Sequence, residues 1–112
     1  MVAFLDEYLS GSFETVTMTS AEDALGRLND GDPVSIVILD LFLPGMNGFD
    51  FLNALRSDRR FDRLPVLVLS GSEKSEDRVR AFEAGADDFV VKPFNPMELA
   101  ARVKNLIRRS GA

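Results

Sequence analysis

Three short apolar runs, separated by segments of helical spacing, constrain the fold of this chain most strongly. The runs are residues 36–39, 64–69 and 89–91. Short, nearly continuous apolar runs are typical of parallel strands that are covered on both faces. Between and after them, apolar residues recur every three or four positions, which is typical of amphipathic helices. This alternation predicts an α/β fold with a doubly wound parallel sheet and helices on both faces.

Capping residues and glycines place the helices between these runs. Thr19 and Glu22 form a possible capping box that opens a helix through about Leu28. Gly85 ends the helix before the third run, and Asn95 caps the last helix. The apolar positions of the later helices are Phe49, Leu52 and Leu55, then Val79 and Phe82, and finally Leu99, Val103, Leu106 and Ile107.

The N-terminal part of the chain adds one helix and one strand by the same criteria. Apolar residues at helical spacing precede a glycine at position 11: Phe4, Leu5, Tyr8 and Leu9. This pattern predicts a helix over the first ten residues. Residues 14–18 alternate at a period of two and are rich in β-branched side chains, which indicates a strand.

The composition fits one domain over residues 1–112 and excludes several kinds of chemistry. With 46% hydrophobic and 28% charged residues, a chain of 112 residues can bury a core. It has no cysteine and no histidine, which excludes disulfides, zinc thiolate sites and Ser-His nucleophiles. A glycine-rich phosphate loop is missing as well, so we do not expect an enzyme.

The charge of the chain argues against two classes of partner. A net charge of −5 opposes non-specific binding to nucleic acid or to an anionic membrane surface. Uninterrupted apolar stretches such as residues 36–39 are far shorter than a membrane span, and residues 1–5 are followed by Asp6 and Glu7 instead of a signal-peptide cleavage site. The expected location is the cytoplasm, with no direct nucleic-acid or membrane partner.

Polar residues follow the three apolar runs, at Asp40, Ser70 and Lys92. Carboxyl ends of parallel strands meet at one edge of a sheet, so a carboxylate, a hydroxyl and an ammonium are expected to converge there. Each has an ordinary explanation as a turn residue, a loop entry or a surface lysine. However, Asp40 lies between apolar stretches, where an uncompensated charge is costly.

Residues 36–48, 64–70 and 84–94 together resemble the receiver domain of two-component response regulators. The intervals of thirty residues from Asp40 to Ser70 and twenty-two from Ser70 to Lys92 match the spacing of that family. The resemblance covers the chain from about residue 13 to its end, and residues 2–10 match the latter part of the family's first helix. It implies a flavodoxin-like fold and a phosphorelay function in signal transduction.

The resemblance also implies a role for each site residue. Asp40 would accept a phosphoryl group from a phosphohistidine on a histidine kinase or phosphotransfer protein. Lys92 would pair first with Asp40 and then with the phosphoryl group, to which Ser70 would donate a hydrogen bond. Phe89 would turn inward as the switch aromatic, and the bond before Pro93 would be cis. The readout would be a changed surface on the last helices.

The sequence departs from the family in the residues that would form a magnesium site. The family holds Mg²⁺ with the phosphorylatable aspartate, a main-chain carbonyl and two adjacent acidic residues at the end of a first strand. Asp40 and the carbonyl of Phe42 match two of these ligands. Only 39 residues precede Asp40, and counting back along them puts the first strand and its acidic pair before residue 1. The site is expected to lack its best ligands.

Two arrangements of the sheet are consistent with this truncated domain. The strands at residues 14–18 and 36–39 pair directly in a sheet of four, or another chain supplies the missing central strand in a homodimer or strand-exchanged oligomer. An alternative interpretation makes residues 1–5 the first strand and Asp6 and Glu7 the acidic pair. A parallel crossover needs a dozen or more residues, and too few follow here.

The charges near the C-terminus have two interpretations: Arg102, Lys104, Arg108 and Arg109 on the last helix, with Asp87 and Asp88 before the final strand. They form a solvated face of mixed charge, or they resemble the pairing surface of transcription-factor receivers.

Two functions follow from the whole sequence. One is a phosphoaccepting receiver, and the other is a pseudo-receiver that mediates protein interaction or dimerisation independently of phosphorylation. No feature supports a third class, a small enzyme or cofactor binder.

Overall fold

The computed structural model describes residues 2–7, 13–41, 47–71 and 74–109. The strands are β1 (Val2–Glu7), β2 (Phe13–Met18), β3 (Ile36–Asp40), β4 (Val66–Ser70) and β5 (Asp88–Val91). The helices are α1 (Ala21–Asn29), α2 (Gly48–Arg56), α3 (Ser75–Ala84) and α4 (Pro96–Arg109), with a 3₁₀ turn at Arg59–Phe61.

The strands form one mixed sheet in the order β2-β1-β3-β4-β5. β3, β4 and β5 are parallel to one another, as the three apolar runs predict. β1 is antiparallel to both of its neighbours, β2 and β3. The flavodoxin-like α/β class is thus confirmed, but the sheet is not wholly parallel.

Helices cover both faces of this sheet. On one face, α1, α2 and α3 pack on a cluster that includes Val37 and Leu39 of β3. On the other face, α4 packs on a cluster that includes Ile36 and Ile38 of the same strand. Successive residues of a strand point to opposite faces, so a strand covered on both sides is apolar at every position. This is why β3 is an uninterrupted apolar run.

The prediction of a helix over the first ten residues is wrong, and so is the count of four strands. Val2, Ala3 and Phe4 are buried in a central strand of this same chain. A strand in this position finds backbone hydrogen-bond partners on both sides, which outweighs a local helical preference. Only five residues separate β1 from β2, which is enough for an antiparallel connection although too few for a parallel crossover.

The direction of β1 also excludes the alternative reading of Asp6 and Glu7 as the acidic pair beside Asp40. In the antiparallel register, Val2 pairs with Leu39 and the strand then runs toward the amino end of β3. Asp6 and Glu7 pair only with β2 and lie beyond that amino end. At roughly 3.3 Å per residue, the length of β3 places them more than about 13 Å from Asp40 along the strand direction.

Side-chain caps fix the starts of the helices. Oγ of Ser20 accepts a hydrogen bond from the backbone N–H of Asp23 at 3.1 Å, so Ser20 caps α1. The expected cap at Thr19 is wrong by one residue, because the helix begins at Ala21. Asn95 caps α4, as expected, by accepting from the N–H of Met97 at 2.8 Å. In the part of the chain that the structure describes, no helix is long and apolar enough to cross a bilayer.

Candidate functional site

The three polar residues predicted at strand ends lie at one edge of the sheet. Asp40 ends β3, Ser70 ends the neighbouring β4, and Lys92 directly follows β5. The backbone N–H of Lys92 donates to the carbonyl of Ser70 at 2.8 Å, which continues the β4–β5 pairing past the last residue of β5. Parallel strands that end at one level therefore bring these residues together from distant parts of the sequence.

A direct ion pair joins the two charged members of this site. Nζ of Lys92 donates a hydrogen bond to Oδ2 of Asp40 at 2.7 Å. The Asp40 side chain is 21% exposed and that of Lys92 is 42% exposed. The carboxylate is thus accessible to a reactant while its charge is partly shielded from water, where a hydrogen bond between charged groups is stronger than on an open surface. An ammonium has three donors, so Lys92 can bind a second anionic oxygen beside Asp40.

Ser70 and Phe89 lie beneath this pair. Ser70 is completely buried and is the one polar residue in the buried core of the described residues. Phe89 is 8% exposed and packs into the cluster below α1, α2 and α3, with the guanidinium of Arg78 5.7 Å from its ring centre. Phe89 therefore faces inward in this structure. The peptide bond between Lys92 and Pro93 is cis.

Leu41 and Gly48 are joined by a backbone contact close to Asp40. The N–H of Gly48 donates to the carbonyl of Leu41 at 2.7 Å. A Cβ on Gly48 would lie 2.6 Å from Cα of Leu41, so only glycine allows this approach. The contact fixes both ends of the segment that follows Asp40. Residues 42–46, and with them the predicted metal ligand Phe42, lie outside the described residues.

The carboxylates of the described residues do not fit a magnesium site of the kind that the resemblance implies. Mg²⁺ requires an octahedral set of oxygen ligands and is usually held by one or two carboxylates in addition to water and phosphate. Asp40 is already paired with Lys92, and Asp6 and Glu7 lie at the other end of the sheet. No group of three acidic side chains suited to a metal occurs among the described residues.

The charges near the C-terminus mostly have partners within the molecule. Arg102 donates to both carboxylate oxygens of Asp88 at 3.0 Å and to Glu98, and these hydrogen bonds raise the pKa of Arg102 above its usual value. Asp87 accepts from Arg56 at 3.0 Å and from the N–H of Val66 at 2.8 Å. These contacts account for Arg102, Asp87 and Asp88 without a partner protein, so the predicted pairing surface stays a prediction.

Sequence reasoning missed Arg56, which joins several elements at the opposite edge of the sheet from Asp40. Its side chain is 17% exposed and donates to the carbonyls of Phe61, Leu64 and Gly85 at 2.7 to 3.0 Å. An arginine at the end of an amphipathic helix normally indicates only a charge near the C-terminus of the helix dipole. No local pattern reveals carbonyls that arrive from 29 residues further along the chain.

Comparison with known proteins gives one family. The sequence model described as the response regulator receiver domain matches residues 1–104. The phosphate regulon transcriptional regulatory protein PhoB of Escherichia coli (strain K12) is 38% identical over 109 residues, covering 97% of this chain and 46% of that protein. The DNA-binding response regulator MtrA of Mycolicibacterium smegmatis is 41% identical over 98 residues, covering 88% of this chain and 41% of that protein.

Solved structures agree with these sequence relatives. The crystal structure of a putative response regulator from Chloroflexus aurantiacus J-10-fl superposes with a TM-score of 0.77 at 36% identity, covering 82% of this chain and 75% of that one. The signal receiver domain of a histidine kinase from Syntrophus aciditrophicus gives 0.78 at 28% identity, with 89% and 75% covered. The chain spans less than half the length of the curated relatives PhoB and MtrA.

Proposed function

Because this chain belongs to the response regulator receiver domains of two-component systems, we propose that Asp40 accepts a phosphoryl group from the phosphohistidine of a histidine kinase or phosphotransfer protein. The observation that carries the proposal is the accessible carboxylate of Asp40 at a strand end, held by Lys92 at 2.7 Å. The chain has no histidine of its own, so the phosphohistidine belongs to a partner.

In the proposed reaction, one carboxylate oxygen of Asp40 attacks the phosphorus atom. The new P–O bond forms while the P–N bond to the partner's imidazole breaks, and the electron pair of that bond leaves with the imidazole nitrogen. Lys92 compensates the negative charge on the transferring oxygens, which is the main way that proteins accelerate phosphoryl transfer. The nucleophile is the ionised carboxylate, so no base is needed to activate it.

Ser70 and Phe89 connect this reaction to the surface. We expect the hydroxyl of Ser70, which is buried at the adjacent strand end, to turn toward a phosphoryl oxygen and donate a hydrogen bond to it. Movement of that end of β4 changes the packing around Phe89, which lies on the next strand. A phosphoryl group thus alters the surface formed by α3, β5 and α4, which is the proposed readout to a partner.

The proposal is tested by incubating the chain with acetyl phosphate and measuring intact mass, with and without Mg²⁺. We expect a single-phosphoryl adduct that Asp40→Asn abolishes and that Asp50→Asn leaves intact, because Asp50 is an exposed aspartate of α2 outside the site. Lys92→Gln should slow adduct formation by about a hundredfold, as expected for the loss of one charge-stabilising donor. Lys104→Gln, on the exposed surface of α4, is the matched control.

The two metal conditions and the aspartate variants separate the alternatives. An adduct that depends on Asp40 in either condition supports the phosphoacceptor function. If neither condition gives such an adduct while the wild-type chain is folded, the phosphoacceptor function is excluded. The remaining function is then that of a pseudo-receiver, which binds its partners independently of phosphorylation.

A further inference from the structure

A second concave site lies at the opposite edge of the sheet from Asp40. It is an open pocket of about 370 Å³, lined by Arg63, Pro65, Asp87, Leu106 and Arg109. The first two residues precede β4, Asp87 precedes β5, and the last two lie near the end of α4. With five residues in β4, roughly 16 Å of strand separates this pocket from the site at Asp40. We call it the arginine pocket.

The charges that line the arginine pocket are not balanced. Asp87 has partners outside the pocket, since Arg56 and the N–H of Val66 bind its carboxylate. The side chains of Arg63 and Arg109 have no hydrogen bond or ion pair in the described part of the chain. Arg27, Arg60 and Arg102, by contrast, each lie within 3.6 Å of a carboxylate oxygen. Two unpaired guanidinium groups therefore line one pocket of a chain whose net charge is −5.

An ordinary role explains only one of these arginines. A cation in the last turn of a helix interacts favourably with the helix dipole, which accounts for Arg109 at the end of α4. Arg63 lies in the segment before β4 and caps no helix. Like charges that line a common pocket repel each other, and an anion bound between them removes that repulsion. The planar fork of a guanidinium matches two oxygens of a phosphate group.

We propose that the arginine pocket reversibly binds the phosphate group of a small anion between Arg63 and Arg109. Pro65 is buried and Leu106 is 8% exposed, so they form a packed wall on which the anion rests. Binding here is noncovalent and independent of the phosphoryl chemistry proposed at Asp40. The pocket has the size of small-ligand sites in proteins, which begin at about 300 Å³.

The test is an NMR titration of the ¹⁵N-labelled full chain with inorganic pyrophosphate, at an ionic strength held constant with sodium chloride. We expect saturable shifts at the amides of Asp87, Leu106 and Arg109. Arg63→Gln and Arg109→Gln should each weaken binding by about tenfold, the usual effect of losing one hydrogen bond between charged groups. Arg59→Gln and Lys104→Gln remove the same charge from outside the pocket and should leave the affinity within about twofold.

Two further measurements complete the test. At the amides of Asp87, Leu106 and Arg109, Asp40→Asn should leave the affinity for pyrophosphate unchanged, which separates this site from the proposed phosphoacceptor. A titration with phenyl phosphate distinguishes a phosphate ester from a free inorganic anion, since tighter binding would identify an ester as the preferred form. The proposal is overturned if no saturable shift occurs, or if Arg63→Gln and Arg109→Gln bind pyrophosphate as the wild type does. It is also overturned if Arg59→Gln and Lys104→Gln weaken binding as much as the two pocket variants do.

Discussion

At the scale of single residues, two glycines in helices have opposite surroundings. A Cβ at Gly48 would lie 2.6 Å from Cα and 2.8 Å from the carbonyl oxygen of Leu41. A Cβ at Gly26, inside α1, would have no other group within 4 Å. Atoms of a backbone cannot move aside as the end of a flexible side chain can. A glycine-to-alanine substitution therefore produces a steric clash at position 48 and none at position 26.

We predict that Gly48→Ala lowers the free energy of unfolding by about 1–3 kcal/mol, because the backbone of Leu41 must shift to admit the methyl group. Gly26→Ala should raise it by up to about 1 kcal/mol, since alanine is the better helix former. Urea denaturation of both variants measures the difference. Equal midpoints for Gly48→Ala and the wild type would contradict the close contact between Gly48 and the backbone of Leu41.

At the scale of elements, Arg56 ties the end of α2 to two loops. It donates to carbonyls in the segment before β4 and to Gly85, which ends α3 with a left-handed φ of +113°. Helix ends leave carbonyl groups without partners inside the helix, and a nearby arginine satisfies them. Arg56 thus holds α2, α3 and the start of β5 in fixed relative positions.

We predict that Arg56→Met lowers the free energy of unfolding by about 2–4 kcal/mol, because it leaves several partly buried carbonyls without their donor and Asp87 without its ion-pair partner. Arg59→Met is the matched control. Arg59 is exposed and has no hydrogen bond or ion pair in the described residues, so its replacement should change stability by less than about 0.5 kcal/mol. Similar unfolding midpoints for both variants would contradict the role given to Arg56.

At the scale of the whole molecule, the antiparallel direction of β1 decides the centre of the sheet. The register pairs Ala3 with Ile38, and both side chains belong to the cluster under α4. A chain without cysteines allows this register to be tested by paired substitutions. Directly opposed residues of antiparallel strands have Cα atoms within the range that a disulfide spans, whereas a shift of two residues puts them at its limit or beyond.

We predict that the double variant Ala3→Cys/Ile38→Cys forms an intramolecular disulfide under mild oxidation without forming disulfide-linked dimers. Ala3→Cys/Ile36→Cys, which is two residues out of register, should oxidise at least about tenfold more slowly. Non-reducing electrophoresis and peptide mapping give the result. Faster oxidation of the second pair, or disulfide-linked dimers from the first, would contradict the intramolecular antiparallel strand.

The sequence by itself determined the parallel half of the sheet and the candidate site. β3, β4 and β5 are apolar at successive positions because they are covered on both faces, and this composition is visible without the fold. Once those strands are identified, the topology of a parallel sheet brings their carboxyl ends together. The convergence of Asp40, Ser70 and Lys92 follows from that rule alone.

Only the tertiary structure decided the direction of β1, the contacts of Arg56 and the arginine pocket. The apolar residues at the N-terminus suit a helix as well as a strand. They form a strand because the position between β2 and β3 supplies backbone hydrogen-bond partners on both sides. Arg56 and the arginine pocket depend on groups distant in sequence. Local patterns encode which face of an element is buried, whereas hydrogen bonds and charges between distant segments arise only when the chain has packed.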